Sequence, residues 1–540
     1  MASALAFDIT PIGLDADVNR WTEALFSTPM LRLAWQDAET ARELVAQLIN
    51  PQNTCVFINV KYLCDLLKQR GSNLAKKKSP HPTHSSDHAR KPKQGVVEPP
   101  SPNNSAPIPT GGPQFGEPAP TPDPTKFSVK HGSDSADYKI LDSEAGTLKP
   151  RAFPIVAGVP EPVVKLADAL GAQGAGIEAE IRKAGQLVFH STGDTGNTKG
   201  PRYMDEVADK MAADFDDTDP RSVPSFYLHL GDVIYSFGEA QYYYDQFYDP
   251  YRNYPAPIFA IAGNHDGMVA PNSTVESLAA FIENFCQAGK PSHRTPESGE
   301  LARTAQVQPG VYYTLEAPFV RILALYSNCL EDPGVISTQN GQFPYLTDTQ
   351  LEFLAEALAR VKKENYSGAL LIALHHPPYV AVTTANTDNS GRHGTSPEVL
   401  AEIDAVCEKA GVWPHAFLSG HAHNYQRFTR TQGKRQTPFL VIGNGGHAVN
   451  PLTRKGSPAL RTPMAQPSLS NKDKSDSVVF ENYDDQDYGY ARIIADAKQL
   501  RIEFHPGSDT EAAKTPDDSV TVDLSTRQLV HYVPQQNANE

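Results

Sequence analysis

Five short clusters of polar residues could together hold metal ions. They are Gly193-Asp194-Thr195-Gly196, Gly231-Asp232-Val233-Ile234-Tyr235, Gly263-Asn264-His265-Asp266, His375-His376-Pro377 and Gly420-His421-Ala422-His423. Their carboxylates, imidazoles, amide and phenol, with no thiolate among them, suit iron, manganese or zinc in a reactive site rather than a structural zinc. The candidate ligands exceed what one ion needs, and two-metal hydrolases commonly share one carboxylate between two ions. Such a pair of cations could neutralise a phosphate ester and activate a water molecule.

Each cluster has a plainer interpretation when it is taken alone. A single Gly-Asp or Gly-Asn-His-Asp after a strand is usually a turn, and the His-x-His of Gly420–His423 is only a somewhat stronger signal. The combination carries the argument, because all five clusters come directly after predicted strands. Open α/β sheets place their ligands at the carboxyl ends of the strands, so we expect these loops to meet.

The strands are predicted from short apolar runs that begin near Leu187. Such runs occur at 187–189, 226–230, 257–261, 319–326, 369–374 and 416–418, and further ones follow at 439–442, 489–494 and 500–504. Because helical patterns lie between these runs, the fold class is α/β.

Two of the helices have recognisable starts. Thr347 with Gln350 is typical of a capping box, and the apolar face that follows is Leu351, Leu354, Leu358 and Val361. Ser396 is expected to cap a second helix with Pro397 at its first position, and the inward face would be Val399, Leu400, Ile403 and Cys407.

The sequence divides into five parts. Residues 1–70 are predicted to form a small, mainly helical segment, and 71–125 a disordered linker, because thirteen of the 45 prolines lie between Lys76 and Pro124. Residues 126–184 are a lead-in segment with one plausible helix at 162–170. Residues 185–510 are the expected catalytic domain, and 511–540 a C-terminal tail.

Composition limits the partners and the compartment. A net charge of −15 argues against nucleic acid as a standing partner, and five scattered cysteines indicate neither a disulfide framework nor a cysteine zinc site. Neither a signal peptide nor a membrane-spanning run is evident, so a cytoplasmic protein is the default expectation, with export by another route left open. The N-terminal segment is a candidate for docking a partner or for oligomerisation, or it is an inert extension.

The order of the five clusters resembles that of the calcineurin-like metallophosphoesterases, and within that superfamily it is most similar to the purple acid phosphatases. Tyr235 stands where that branch has its iron-binding tyrosinate, and Gly196 stands where many other branches have a metal-binding histidine. The flanking segments Gly420–Arg427 and Phe439–His447 also resemble the family, and the resemblance covers roughly residues 185–505.

The resemblance implies a four-layer α/β/β/α sandwich with a binuclear metal site at the carboxyl ends of its strands. Fe(III) would be bound by Asp194, Tyr235 and His423, and Fe(II), Zn or Mn by Asn264, His375 and His421, with Asp232 shared between the two ions.

The resemblance also implies residues for the substrate. His265 resembles the family's histidine that binds phosphate and protonates the leaving group. A second such histidine would be His393, with His376 the alternative. Arg392 could contact a phosphate oxygen, but the sequence favours an exposed loop arginine over that role.

The implied reaction is hydrolysis of phosphomonoesters, as in acid phosphatases, by a metal-bound hydroxide. A phosphodiesterase acting on cyclic nucleotides or phospholipid head groups is an alternative, and a binding protein that has lost the reaction is a third. Familiar eukaryotic members carry a β-sandwich domain and an export signal before the catalytic domain. Neither is visible here, which leaves the substrate and the compartment open.

Overall fold

The computed structural model describes residues 154, 158–197, 201–216, 219, 221–235, 237–269, 275–286, 295, 308–381, 393–453, 456–469, 476–508 and 515–534. The predicted helical segment 1–70, the predicted linker 71–125 and the candidate residue Arg392 lie outside the described residues.

Nine strands form the larger sheet. From one edge to the other they are β1 (Val163–Lys165), β5 (Tyr313–Ala317), β6 (Val320–Ala324), β7 (Ala369–Ala373), β8 (Ala416–Ser419), β10 (Arg435–Ile442), β9 (Tyr425–Gln432), β12 (Ser477–Asp484) and β11 (Met464–Gln466). The central strands β6, β7, β8 and β10 run parallel to one another, and β9, β12 and β11 continue the sheet in antiparallel fashion.

Six strands form the smaller sheet. In order they are β15 (Asp518–Asp523), β14 (Gln499–Pro506), β13 (Gly489–Asp496), β2 (Gln186–Thr192), β3 (Pro224–His229) and β4 (Ile258–Ala260). Strands β2, β3 and β4 are parallel. The sandwich extends beyond the predicted domain bounds of 185 and 510, because β1 precedes them and β15 follows them.

The two sheets pack face to face around an apolar core. Phe189 and Phe226 of the smaller sheet belong to the same buried cluster as Leu315 and Leu371 of the larger one. Burial of each such side chain stabilises the fold by about 1.5–3 kcal/mol. Alternate residues of a strand point to opposite faces, so the neighbours of Leu371 face outward and need a second apolar layer.

Helices supply the outer layers. Their bounds are α1 (Leu166–Ala169), α2 (Gly174–Ala184), α3 (Arg202–Ala213), α4 (Asn264–Gly267), α5 (Ala279–Phe285), α6 (Thr349–Lys363) and α7 (Pro397–Ala410). Phe353 of α6 and Ile403 of α7 share a core cluster with Ile372 of β7, while Met211 of α3 shares it with Tyr227 of β3. The result is the predicted mixed α/β sandwich with helices outside both sheets. Among the helices that the structure describes, none is long and apolar enough to cross a membrane.

The predicted helix starts are correct to within one residue, but their hydrogen bonds differ from the prediction. Helix α6 begins at Thr349 without a side-chain cap, and Gln350 turns inward to pair with the backbone of Tyr326, so the predicted capping box is wrong. Ser396 precedes α7 as predicted, but its hydroxyl accepts a hydrogen bond from the Gly334 amide instead of capping the helix. In both places a buried loop amide competes successfully for the side chain.

The predicted helix at 162–170 is largely wrong. Val163–Lys165 forms the edge strand β1, which leaves only the four residues of α1, and the longer helix α2 follows three residues of 3₁₀ helix. Pairing with β5 explains the strand, because the local helical pattern contains no information about a partner 150 residues away.

Candidate metal centre

The five clusters meet at one end of the sandwich, and they come from both sheets. Asp194, Asp232 and Asn264 follow β2, β3 and β4 of the smaller sheet. His375 and His421 follow β7 and β8 of the larger sheet. The carboxyl ends of parallel strands in two stacked sheets therefore face each other across the site, which fits the expected position at strand ends.

Two carboxylate oxygens and an imidazole nitrogen surround the phenol of Tyr235. Its hydroxyl lies 2.7 Å from Asp232 Oδ2, 3.1 Å from Asp194 Oδ1 and 3.2 Å from His423 Nε2. His423 Nε2 is also 3.5 Å from Asp194 Oδ1. The structure thus brings together the three residues predicted for the first ion and the shared carboxylate.

A second group forms around the amide of Asn264. Its Oδ1 lies 3.0 Å from His375 Nε2 and 3.0 Å from His421 Nδ1. Asp232 joins the two groups, because the same Oδ2 that faces Tyr235 lies 3.4 Å from His375 Nε2. Asp194, Asp232 and His375 alone place one donor atom each within 4.8 Å of one another.

Cations fit this donor set. The Tyr235 hydroxyl has one hydrogen but faces two buried carboxylates, so one of them is left without that hydrogen bond. His375 Nδ1 lies 2.8 Å from the carbonyl oxygen of Leu230 and must donate to it. In a neutral imidazole the lone pair of Nε2 then points at the oxygens of Asn264 and Asp232, an arrangement that a positive ion stabilises.

The electrostatics of the described residues depend on whether an ion is bound. Burial lowers the pKa of His375, but the Asp232 and Asp194 carboxylates outweigh it and raise the pKa to about 10, so without an ion Nε2 is protonated toward Asp232, and a bound cation would replace that proton. Burial and the neighbouring Asp232 carboxylate raise the pKa of Asp194 to about 7. Burial, Asp194 and Asp232 together raise the pKa of Tyr235 well above its usual range. Burial and adjacent imidazoles lower the pKa of His421 and His423, which keeps both as neutral ligands. A phenolate at Tyr235 would therefore form only beside a highly charged cation.

The backbone at three of the candidate ligands has an unusual conformation that aims their side chains. Asp194, Asp232 and His421 have φ values of 57°, 52° and 70°, a region that non-glycine residues adopt rarely and mostly at functional sites. The glycine before Asn264 is needed for close approach, because a Cβ at Gly263 would collide with Asp232 Oδ1. Gly231 is needed for two reasons. Its φ of 92° is one that other residues rarely adopt, and a Cβ there would lie 2.6 Å from His375 Nδ1.

Buried polar groups hold the loops in register. Asp266 accepts hydrogen bonds from the amides of Val233 and Gly263, which ties the second cluster to the third. His229 Nε2 pairs with Thr195 Oγ1 at 2.8 Å, beside Asp194. Partners of this kind fix the orientation of metal ligands and tune their affinity.

Comparison with known proteins identifies the family of this region. Residues 189–425 match the model of the calcineurin-like phosphoesterase family. This region is a calcineurin-like phosphoesterase domain. The family assignment agrees with the resemblance seen in the sequence and with the mixed α/β fold. No curated protein sequence matched the chain significantly.

Several solved structures are similar to the chain at low identity. GAP50, the anchor in the inner membrane complex of Plasmodium, is 13% identical with a TM-score of 0.39, over 63% of this chain and 89% of that one. The structure of PhoD is 12% identical with a TM-score of 0.37, over 66% and 73%. A predicted phosphoesterase from Streptococcus pneumoniae is 10% identical with a TM-score of 0.24, over 63% and 98%.

Within the phosphoesterase domain, the predicted substrate residues occupy different surroundings. The His265 ring lies against Tyr235 with centroids 4.3 Å apart, and its backbone amide donates to Asp232 Oδ1 at 2.9 Å. His393 lies beside the candidate ligands His421 and His423, with ring centroids 4.1 and 4.8 Å away.

His376 is placed differently from His393. Its two ring nitrogens lie 2.7 Å from Ser327 Oγ and 2.8 Å from the carbonyl oxygen of Leu330. Both nitrogens are thus occupied by the protein, and burial lowers the pKa of this histidine to about 3. The structure therefore favours His393 over His376 as the second substrate histidine, and its role stays a prediction.

Three residues at the site have no predicted role in the sequence interpretation. His447 stacks on the Tyr235 ring with centroids 3.5 Å apart and an angle of 12°, and its Nδ1 lies 2.9 Å from the Gly196 carbonyl. Glu331 and Asp332 approach Asn264 and His421, respectively. All three lie in loops after strands β10 and β6. His447 follows two glycines and so carries a strand-end signal, whereas no glycine precedes Glu331 and Asp332 in their loop.

Proposed function

We propose that this domain hydrolyses phosphate esters with two metal ions, as an acid phosphatase-like phosphomonoesterase. The observation that carries the proposal is the convergence of seven buried or nearly buried donor side chains on two adjoining positions. Asp194, Tyr235 and His423 would hold one ion, and Asn264, His375 and His421 the other. Asp232 would be shared, since its Oδ2 faces both groups.

The surroundings of Tyr235 favour a site of the purple acid phosphatase type, with Fe(III) in the first position and Fe(II), Zn or Mn in the second. Gln246 holds the backbone of Tyr235 through two hydrogen bonds of 2.8 and 2.7 Å. A Cβ at Gly196 would lie 2.8 Å from Ile234 Cα, so a histidine at that position would not fit. The ligand that other branches supply from position 196 is thus replaced here by a phenol.

The two ions, His265 and His393 would each have a different role in hydrolysis. When bound, the two ions would supply Lewis-acid charge for the phosphate and lower the pKa of a water molecule. His265, beside Tyr235 and Asp232, is placed to contact a phosphate oxygen as charge develops on it. His393 is placed on the His421 side of the centre, where it can give a proton to the leaving alcohol.

Ester class provides the test. We expect the metal-loaded protein to hydrolyse p-nitrophenyl phosphate with a kcat/KM at least about tenfold above that for bis(p-nitrophenyl) phosphate, a difference of about 1.4 kcal/mol in transition-state stabilisation. Chelation should abolish hydrolysis of both, and added metal should restore it. A preference for the diester would replace the monoesterase proposal with the phosphodiesterase alternative. Protein with two bound metals and no hydrolysis of either ester would contradict both and favour a binding protein.

A further inference from the structure

We propose that Glu331 is a positioning residue of this centre, which orients both the amide of Asn264 and the imidazole of His393. The inference rests on the proposed two-metal hydrolase. Glu331 lies in the loop after β6, a strand whose end carries none of the five clusters. Its two carboxylate oxygens face different residues of the site, one on each side.

The loop that carries Glu331 is fixed on both sides. His376, next to the ligand His375, bonds to Ser327 Oγ and to the Leu330 carbonyl. The Val335 amide donates to the Ser327 carbonyl at 2.9 Å, which closes the loop on itself. A carboxylate on such a loop can impose an orientation on its neighbours, because the loop itself has little freedom to follow them.

The first neighbour is the amide of Asn264. Its Nδ2 lies 3.4 Å from Glu331 Oε2, while its Oδ1 faces His375 and His421. A carboxylate accepts hydrogen bonds and cannot donate them, so it selects the rotamer in which the NH₂ group points toward Glu331. The amide oxygen is then directed to the metal position.

The second neighbour is His393. Its Nδ1 lies 3.3 Å from Glu331 Oε1, and the side chain is 7% exposed. Both ring nitrogens are buried and neither makes a hydrogen bond in the described part of the chain, so the approach of Nδ1 to Glu331 is an ion-pair contact, and Nε2 has no contact of that kind. When Glu331 holds Nδ1 of His393 toward itself, Nε2 points away from the loop. Nε2 is then the ring nitrogen that can contact a substrate atom.

Asp332 supports the same arrangement from the adjacent position. Its Oδ1 accepts a hydrogen bond from the Gly394 amide at 2.7 Å, which fixes the backbone next to His393. The same oxygen lies 3.5 Å from His421 Nε2. The dipeptide Glu331-Asp332 thus contacts His393, its following residue and two residues assigned to the second ion.

Two substitutions separate the two contacts of Glu331. In Glu331→Gln the new amide has one oxygen and one NH₂ group, so it can keep the contact with Asn264 only by turning a donor toward His393 Nδ1. In Glu331→Ala both contacts are lost. Glu402→Gln is the matched control, because Glu402 is a partly buried carboxylate that bonds to Ser337 and to none of the proposed ligands.

Metal retention is the first measurement, made by titrating the purified full-length protein with a chelator and measuring the residual metal. We expect Glu331→Ala to lose its second ion at a roughly 10- to 100-fold lower chelator concentration than the wild type, the usual effect of removing a partner of a metal ligand. Glu331→Gln and Glu402→Gln should resemble the wild type. Unchanged retention in Glu331→Ala would overturn the assignment for Asn264.

The leaving group provides the second measurement. Phenolate leaves less readily than p-nitrophenolate, so hydrolysis of phenyl phosphate depends more on a correctly placed acid. We expect Glu331→Gln to lower the ratio of kcat for phenyl phosphate to kcat for p-nitrophenyl phosphate about tenfold or more, and Glu402→Gln to leave it unchanged. An equal loss on both substrates would assign Glu331 a merely structural role. Failure of the wild type to hydrolyse either ester would count against the proposed function, while the metal measurement would still decide the contact with Asn264.

Discussion

Replacing Asp232 by asparagine should remove metal from both positions and reduce hydrolysis on the order of 10³-fold or more. Loss of a residue that only supports a ligand costs about 10- to 100-fold, and Asp232 is proposed to be a direct ligand of both ions. Its Oδ2 lies 2.7 Å from the Tyr235 hydroxyl and 3.4 Å from His375 Nε2. Asparagine has nearly the same shape as aspartate but carries no charge. Comparing Asp232→Asn with the wild type therefore measures the contribution of the negative charge at this position.

Metal content and initial rates on p-nitrophenyl phosphate would measure this effect. Asp496→Asn is a suitable control, because Asp496 is also buried but pairs with Gln186 at the start of β2, the opposite end of the strand from Asp194. The control should retain both ions and full activity. Two tightly bound ions in Asp232→Asn would show that the ions do not share this carboxylate.

Replacing His265 by asparagine should have the next largest effect, and one of a different kind. Removing one donor to a developing oxyanion costs about 10²- to 10³-fold in kcat, so we expect kcat to fall within that range. Metal content should stay at the wild-type level, because the contact of residue 265 with Asp232 is made by its backbone amide and not by its ring. Parallel measurement of kcat, KM and metal content would separate this result from a lost ligand.

Two outcomes would count against the role of His265. A kcat within about threefold of the wild type would show that the ring takes no part in the rate-determining step. Loss of metal in parallel with activity would instead show that its ring, which packs against Tyr235, mainly supports the centre.

The strand-end rule explains why so much of the site could be predicted from the sequence. Apolar runs followed by glycine and a polar residue located β2, β3, β4, β7 and β8, and the seven ligand candidates then converged as expected. The rule cannot predict which of these strands belong to which of the two sheets, because sheet membership depends on pairing between distant segments. The four-layer sandwich, in which these loops come from two stacked sheets, was implied by the family resemblance and not by the strand-end rule.

Residues that act through the backbone or through other side chains were harder to predict. Glu331 follows β6 without the glycine that marks four of the five clusters, and nothing in its local pattern indicates its proximity to Asn264. The local pattern predicts that Gln350 belongs to a helix cap, although its amide satisfies the buried backbone of Tyr326. Such roles depend on which buried polar groups remain to be satisfied, and that becomes visible only in three dimensions.

The most direct test of the central claim is the visible spectrum and metal content of the purified protein, measured for the wild type and for Tyr235→Phe. We predict about two metal ions per chain and a visible band from a phenolate bound to Fe(III). Tyr235→Phe should lose the band, because it removes the oxygen that lies between Asp194 and Asp232. A colourless wild type with two ions would contradict the iron assignment, and a wild type that hydrolyses phosphate esters without bound metal would contradict the account as a whole.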